Sequence, residues 1–503
     1  MSYLLFSSRR ISTIITALSI SFSMKAGERP NIIWLMAEDI SIDLECYGIK
    51  AVKTPNLNAL AENGIKFTNC YCTNSISSPS RSAMMTGVHQ LQINAQHHRS
   101  NRDVPLPEPY KPFTYWLRQS GYTCILGSEH VMFRGRKVDC NFKHSPVGDY
   151  DGIEQFGLFD KLDVITPQDQ PFFAQITLFA THRGDWWDDV SSLSSHPVNP
   201  DSVQLPPYFA DHPIIRLDYA KYLDQVEYID NEVGKIIDDL KKKGLYDNTI
   251  IIFIGDNGRC NIRGKGYLNN TGLHIPLIVN WPDGIKSGKV RNEIVTTMDI
   301  TATILDWAKI AIPSYMTGKS FIRKDFCRDF VFGTRDFADE IMDKSRSIHT
   351  KQYNYIRNDM PWVPWDARSA YLEFYTPALH VMRKLKLEGE LNEVENIFLQ
   401  PEKPKEELYD LVADPHETMN LKDDPMYQEV LMEMRQLAWV EENALTPDSI
   451  IHHYEDQGTV DVLNLVKYFY PEEFLRMLNG EEIGYNKYRK LLDQKLIRNN
   501  VPK

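Results

Sequence analysis

The chain has 503 residues, 42% apolar and 25% charged, an ordinary globular composition long enough for two or three domains. Fifty-six Lys and Arg against 68 Asp and Glu leave a formal net charge of −12, which, with no long basic run, excludes a protein built mainly to neutralise nucleic-acid phosphates. Seven cysteines are too sparse for a disulfide scaffold and leave any pairing unspecified.

At the N-terminus, Arg9 and Arg10 precede the apolar stretch Ile11 to Phe22, and Met24-Lys25-Ala26-Gly27 follows. A basic start, an apolar middle and a small-residue exit predict a secretory signal over 1–26. The apolar stretch is too short to cross about 30 Å of hydrocarbon, so an exported protein with no stable membrane span is expected. From Arg29 to about Ile310, apolar β-type runs alternate with helical stretches, which predicts a mostly parallel sheet covered by helices. Asn31 to Ala37, Tyr122 to Leu126, Pro171 to Ala180 and Thr249 to Gly255 read as its strands. Leu217 to Leu240 reads as the best amphipathic helix, ended by Gly244.

Beyond Ile312-Pro313-Ser314 the texture changes to short strand-like pieces, Phe330 to Gly333, Tyr353 to Arg357 and Glu407 to Leu411, followed by a helix starting at Asp424-Pro425. The expected organisation is an α/β catalytic domain over 27–325, a smaller α+β domain over 326–445 and a charged helical extension over 446–503.

In open α/β sheets, ligands bind outside the carboxyl ends of the strands. Those ends carry Glu38-Asp39, Gly127-Ser128-Glu129-His130, Thr181-His182-Arg183 and Asp256-Asn257-Gly258. Carboxylates plus an Asn carbonyl suit a hard cation, calcium or magnesium, whereas zinc would ask for His or Cys at Asn257. One acidic pair alone reads as a helix cap or a solvated turn; two pairs at two strand ends read as a metal site. In Ser77-Ser78-Pro79-Ser80-Arg81-Ser82-Ala83-Met84-Met85-Thr86-Gly87, Pro79 fits the first turn of a helix and Gly87 its end, which places Ser77 at an anion-attracting N-terminus. The same segment also reads as a Ser-rich cap on a short core helix.

This segment resembles the signature of the formylglycine-dependent sulfatases: Cys or Ser, any residue, Pro-Ser-Arg and, after four more residues, Thr-Gly. Arg29-Pro30-Asn31-Ile32, Asp256-Asn257-Gly258, Glu407-Leu408-Tyr409-Asp410, Asp414-Pro415-His416-Glu417 and Asn420-Leu421 are similar to the family's further motifs, in order, so that the resemblance spans about Arg29 to Leu437. It implies an alkaline-phosphatase-like fold. It also implies that Ser77 is oxidised to formylglycine by an oxygen-independent maturase, and hence a bacterial, periplasmic setting. Glu38, Asp39, Asp256 and Asn257, with the modified Ser77, then match a calcium site, with magnesium as the alternative; Glu38 departs from the usual Asp.

By the same resemblance, Arg81 holds the formylglycine, His130 takes the proton that lets sulfate leave, and His182 with Lys265 grips the sulfate and protonates the leaving atom. The family's Gly-Lys-x-His is Gly127-Ser128-Glu129-His130 here, so a lysine is missing; either another cation such as Lys137 or Arg134 reaches the site, the substrate demands less charge neutralisation, the enzyme is impaired, or the alignment is displaced locally. His97, His98, Arg99, Arg183, Trp186 and Trp365 are the sugar-binding candidates, because Arg forks bind anionic groups and aromatic faces can stack on sugar rings. Thr181-His182-Arg183, Thr303 to Trp307 and Glu407 to Leu421 resemble the N-sulfoglucosamine sulfohydrolase branch, which implies N-sulfoglucosamine of heparin or heparan sulfate as substrate. An O-sulfatase acting on another sulfated polysaccharide and an inactive sulfoglycan-binding descendant are the alternatives.

Overall fold

The computed structural model describes residues 29–285, 288–338, 341–367, 369–447, 467–481 and 483–484. The N-terminal address segment and most of the C-terminal extension lie outside the described residues. Among the described residues no helix is long and apolar enough to cross a membrane, and all seven cysteines are free.

The strands are, in chain order, β1 (Asn31–Ala37), β2 (Ile65–Tyr71), β3 (Thr123–Leu126), β4 (Ser145–Val147), β5 (Gly157–Phe159), β6 (Lys161–Leu162), β7 (Phe172–Leu178), β8 (Thr249–Gly255), β9 (His274–Asn280), β10 (Lys289–Thr296), β11 (Val331–Arg335), β12 (Ser345–His349), β13 (Tyr353–Asn358) and β14 (Glu406–Asp410). The large sheet runs β10-β2-β9-β8-β1-β7-β3-β6. Only β9 opposes its neighbours, antiparallel to β2 and β8; the other pairs are parallel. A run such as β8, Thr-Ile-Ile-Ile-Phe-Ile-Gly, is apolar throughout because it lies at the sheet centre with both faces covered. One core forms on each face. Trp34, Phe67, Phe113 and Phe173 lie on one side, and Ile33, Leu35, Phe172 and Phe253 on the other. The long helix Pro213–Lys242 covers the second side with Leu223, Val226, Ile229, Val233 and Ile237.

β11 to β14 form a separate antiparallel sheet, packed on the helix Gln428–Leu445 through Phe332, Ile348, Tyr355, Leu408, Leu431 and Met434. β12, Ser-Arg-Ser-Ile-His, has no alternating pattern. It is buried along its length, and Arg346 in it pairs with Asp336 and Glu442. The two sheets are tied by polar contacts: Asn354 Nδ2 donates to the Glu417 carboxylate at 2.5 Å, the Asn270 backbone N–H donates to the same group at 2.9 Å, and Arg263 donates to the Glu417 carbonyl.

β1 and β8 pair in register from Asn31 opposite Thr249 to Ala37 opposite Gly255. Glu38-Asp39 and Asp256-Asn257 therefore leave the sheet at one level, side by side. Gly258 fixes the exit of β8, since a Cβ there would lie 1.9 Å from the Thr271 carbonyl oxygen and 2.7 Å from Gly272 Cα, both backbone atoms that cannot swing aside. Gly258→Ala should destabilise the protein by about 1–3 kcal/mol through overpacking, measured by urea denaturation. An unchanged midpoint would show that this turn has room to spare.

Candidate active site

The signature segment forms the helix Ser77–Thr86, ended by Gly87 in the left-handed conformation at φ 68°, with all ten residues buried. Ser77 is its first residue, and its hydroxyl donates to Asn257 Oδ1 at 3.0 Å. Ser80 Oγ donates to the Asp256 carbonyl at 2.6 Å, locking the helix start onto the end of β8. Ser78 Oγ accepts the Arg99 N–H at 2.9 Å and lies 2.9 Å from His98 Nδ1, so the 97–99 segment rests on the helix's first turn.

Arg81 joins the pieces. Its Nε donates to Asp256 Oδ2 at 2.9 Å and its Nη2 to Glu38 Oε1 at 2.5 Å, with all three side chains buried. Burial alone would drive the proton off, but the two carboxylates outweigh it and hold the guanidinium above its ordinary pKa. Two ammonium groups complete the charge balance: Lys137 Nζ is 2.7 Å from Glu38 Oε2 and 3.4 Å from Asp139 Oδ2, and Lys265 Nζ is 2.8 Å from Asp39 Oδ2. Burial opposes the Lys265 charge, and Asp39 more than restores it, so its pKa stands above the usual lysine value. Asp39 itself is strained, a non-glycine residue at φ 46°, held by Asn257 Nδ2 donating to its Oδ1 at 2.9 Å and by its own N–H donating to Asp256 Oδ1 at 3.0 Å.

Glu38, Asp39, Asp256 and Asn257 are 0–1% exposed, and Asn257 turns its Oδ1 to Ser77, so the set offers oxygen ligands. Such a set fits calcium or magnesium and lacks the nitrogen or sulfur that zinc prefers. Among the described residues a second group, Glu129, His130 and Asp239, brings three ligand atoms within 4.8 Å of one another and is a potential metal site. Lys243, 2.6 Å from Asp239 Oδ2, already balances part of its charge.

That second group corrects the expectation for His130. β3 stops at Leu126, opposite Gln175 and three residues short of the end of β7, and the chain turns away early. His130 Nε2 ends 3.3 Å from Asp239 Oδ2, in the last turns of the helix whose Asp218 binds Arg183; the 21 residues between Asp218 and Asp239 span about 30 Å of helix. Lys137, ten residues beyond Gly127, returns to Glu38, so a lysine reaches the cluster from the loop and not from the strand end. Arg183 is likewise not open to a sugar. It is 1% exposed, donates in a fork to Asp218 and also to the Cys260 and Tyr375 carbonyls, and stacks on Trp187. Trp365 is buried in a core cluster with Tyr267 and Phe398. His97 is 5% exposed, and its Nδ1 accepts the Phe337 N–H. Trp186, His98 and Arg99 remain partly exposed.

His182 does face the cluster, its Nε2 3.9 Å from Asp39 Oδ2. Its Nδ1 lies 2.9 Å from the Arg183 carbonyl and 3.2 Å from the Tyr371 hydroxyl, which itself donates to that carbonyl at 2.8 Å. Those partners place the proton on Nδ1 and leave Nε2 toward the pocket. Burial, and then the Lys265 ammonium, push the imidazole down to about 3, so the ring is neutral while Lys265 carries a proton. Tyr371 is unmarked in the sequence: it lies 188 residues from Arg183, on the short aromatic helix Ala370–Tyr375, with no motif to single it out.

A family model described as Sulfatase matches residues 30–310, and one described as N-sulphoglucosamine sulphohydrolase, C-terminal, matches residues 258–366. An ulvan-active sulfatase of Formosa agariphila is 30% identical over 461 residues, 82% of this chain and 74% of the relative. The N-sulphoglucosamine sulphohydrolase of Homo sapiens is 27% identical, over 80% of this chain and 88% of the relative. A solved structure of a protein in complex with its substrate D-glucosamine-2-N,6-O-disulfate superposes with a TM-score of 0.55 at 17% identity, over 84% of this chain and 99% of that one, a likeness of fold. The chain belongs to the sulfatase family, and it is a formylglycine-type hydrolase of sulfate esters or sulfamates on sulfated glycans.

If Lys137 supplies the charge that Ser128 lacks, Lys137→Ala should lower kcat/KM on a sulfated sugar by about 10²-fold, while His130→Ala changes it by less than about threefold. Steady-state kinetics of the two variants decide it; the reverse ranking would restore His130 to the site.

Proposed function

We propose that this chain is an exported, periplasmic bacterial sulfatase that removes O-linked sulfate from a polysaccharide of the ulvan type, after Ser77 has been oxidised by an anaerobic maturase. The observation that carries the reading is the contact of Lys137 with Glu38. A sulfamate nitrogen is readily protonated and leaves as a neutral amine, whereas an ester oxygen develops alkoxide charge as it leaves and asks for more positive charge beside it. A pocket without its lysine would suit the easier sulfamate. Lys137 and Lys265 together restore the charge, and the two ulvan-active relatives at 30% and 28% identity agree with that.

The chemistry divides among named residues. Formylglycine at position 77, when formed, supplies a hydrated aldehyde oxygen as nucleophile, which an unassisted serine hydroxyl cannot match at neutral pH. Glu38, Asp39, Asp256 and Asn257 would hold a calcium ion, whose charge polarises a sulfuryl oxygen. Glu38, Asp39, Asp139 and Asp256 bring four negative charges, and Arg81, Lys137, Lys265 and Arg102, which pairs with Asp139, four positive ones, so a divalent ion leaves the pocket with a net positive charge that draws in an anionic sulfate. Arg81 fixes the two outer carboxylates relative to Ser77. Lys265 holds a proton within the pocket for the leaving oxygen, and His182 presents an unprotonated Nε2 on the same side of Asp39.

Protein co-expressed with an anaerobic maturase should carry a residue 77 lighter by two hydrogens on intact-mass analysis, and Ser77→Ala should abolish turnover. On singly sulfated standards the matured enzyme should release sulfate from O-sulfated ulvan oligosaccharides; release from N-sulfoglucosamine alone would reverse the substrate assignment toward the sulfamidase relative. Asp256→Ala should lose bound calcium, read by elemental analysis, because a hard cation is left short of charge and ligands. Retained stoichiometric calcium would place the ion elsewhere.

A further inference from the structure

Phe133 lies on the loop that brings Lys137 to Glu38, and it is held out in solvent at 58% exposure. Its backbone is left-handed at φ 50°, and that of Arg134 at φ 56°, two consecutive non-glycine residues in a conformation that costs free energy at each. The loop is pinned around them. Ser128 N–H donates to the Arg134 carbonyl at 2.8 Å, the Arg134 and Arg136 guanidinium groups both bind Asp163, and Gly135 fits where a Cβ would meet Ile176 at 2.9 Å. An apolar side chain kept exposed by a rigid, strained loop is not a folding requirement.

The Phe133 ring meets Phe179 and Trp186 edge to face, with centroids 5.4 Å and 5.2 Å away. Trp186 is itself clamped: its indole lies over Gly184, where a Cβ would come within 2.5 Å of the ring, and its centroid is 6.3 Å from that of His182. We propose that Phe133, with Phe179 and Trp186, forms an aromatic platform at the rim of the pocket that takes the apolar face of the pyranose ring whose sulfate is held by Lys137 and Lys265. The platform rests on the glycan-sulfatase reading for its ligand and extends it to the sugar ring. Sugar rings present axial C–H groups on one face, which pack on aromatic carbon, while their hydroxyls stay in water; rigid aromatic side chains offer that surface at little entropy cost. The loop thus carries a contact for each half of the substrate, Lys137 for the sulfate and Phe133 for the ring.

The test uses the full-length protein with Ser77 unmatured, so that binding is measured without turnover, and calorimetric titration with a sulfated ulvan oligosaccharide. Phe133→Ala should weaken binding by about tenfold, and Phe133→Tyr should restore it. In matured enzyme Phe133→Ala should raise KM for the same oligosaccharide by a similar factor, while the inhibition constant of inorganic sulfate, which touches only the charged groups, stays within about twofold. Unchanged oligosaccharide affinity in Phe133→Ala, or no binding by the parent protein, would overturn the platform. A parallel loss of sulfate inhibition would also overturn it, showing that the substitution acts by displacing Lys137. Binding by the parent protein without sulfate release after maturation would defeat the proposed activity and leave the platform standing.

Discussion

The buried guanidinium of Arg81, shared between Glu38 at the end of β1 and Asp256 at the end of β8, is the interaction on which the rest of the site depends. It comes from a third element, the helix that starts at Ser77, so one side chain sets the spacing of two strands and the helix. A buried ion pair is weak evidence for stability, because desolvation consumes much of the attraction, but losing one partner leaves uncompensated buried charge at about 3–5 kcal/mol. Removing Arg81 would set two carboxylates against each other in a water-poor pocket. The fold tolerates such concentrated charge because the parallel register of β1 and β8 delivers both acidic pairs at one level, with Lys137 and Lys265 arriving on separate loops.

Those loops explain how the two halves of the chain cooperate. The residues proposed for catalysis come from the large sheet, yet His182 is oriented in part by Tyr371, on a helix that follows the first three strands of the second sheet, and Lys265 lies with its Nζ 5.0 Å from the centre of the Tyr371 ring. The smaller sheet is anchored to the large one through Glu417, which Asn354 and the Asn270 backbone share. The second half of the chain thus reaches the residue pair facing Asp39 through Tyr371.

Much of the frame was legible in the sequence because local chemistry dictates it. Asn31 to Ala37 and Thr249 to Gly255 are continuous apolar runs that only a doubly covered sheet accommodates, and both form strands with those bounds. The Ser77 helix and its Gly87 end follow from the positions of Pro79 and Gly87. β2, with its polar Lys66, Thr68 and Asn69, and β12, stabilised by the long-range partners of Arg346, carry no such signature and were not anticipated. The site was legible where strand ends carry it, at Glu38, Asp39, His182, Asp256 and Asn257. It was illegible where a loop doubles back: β3 is short, so the residue in line with the strand, His130, leaves the pocket and Lys137 enters it. Arg183 shows the opposite failure, since an arginine beside a catalytic histidine looks like a substrate ligand until Asp218, in a distant helix, is seen to hold it.

On the proposed reading, the ends of β1 and β8, together with Ser77, form one cation centre that serves sulfate chemistry, separate from Glu129, His130 and Asp239. A crystal of the protein grown with calcium and measured for anomalous scattering tests this directly. A single strong peak is expected between Asp39, Asp256 and Asn257, beside Ser77; a peak at Glu129, His130 and Asp239 with none at the strand ends would contradict a strand-end cation centre.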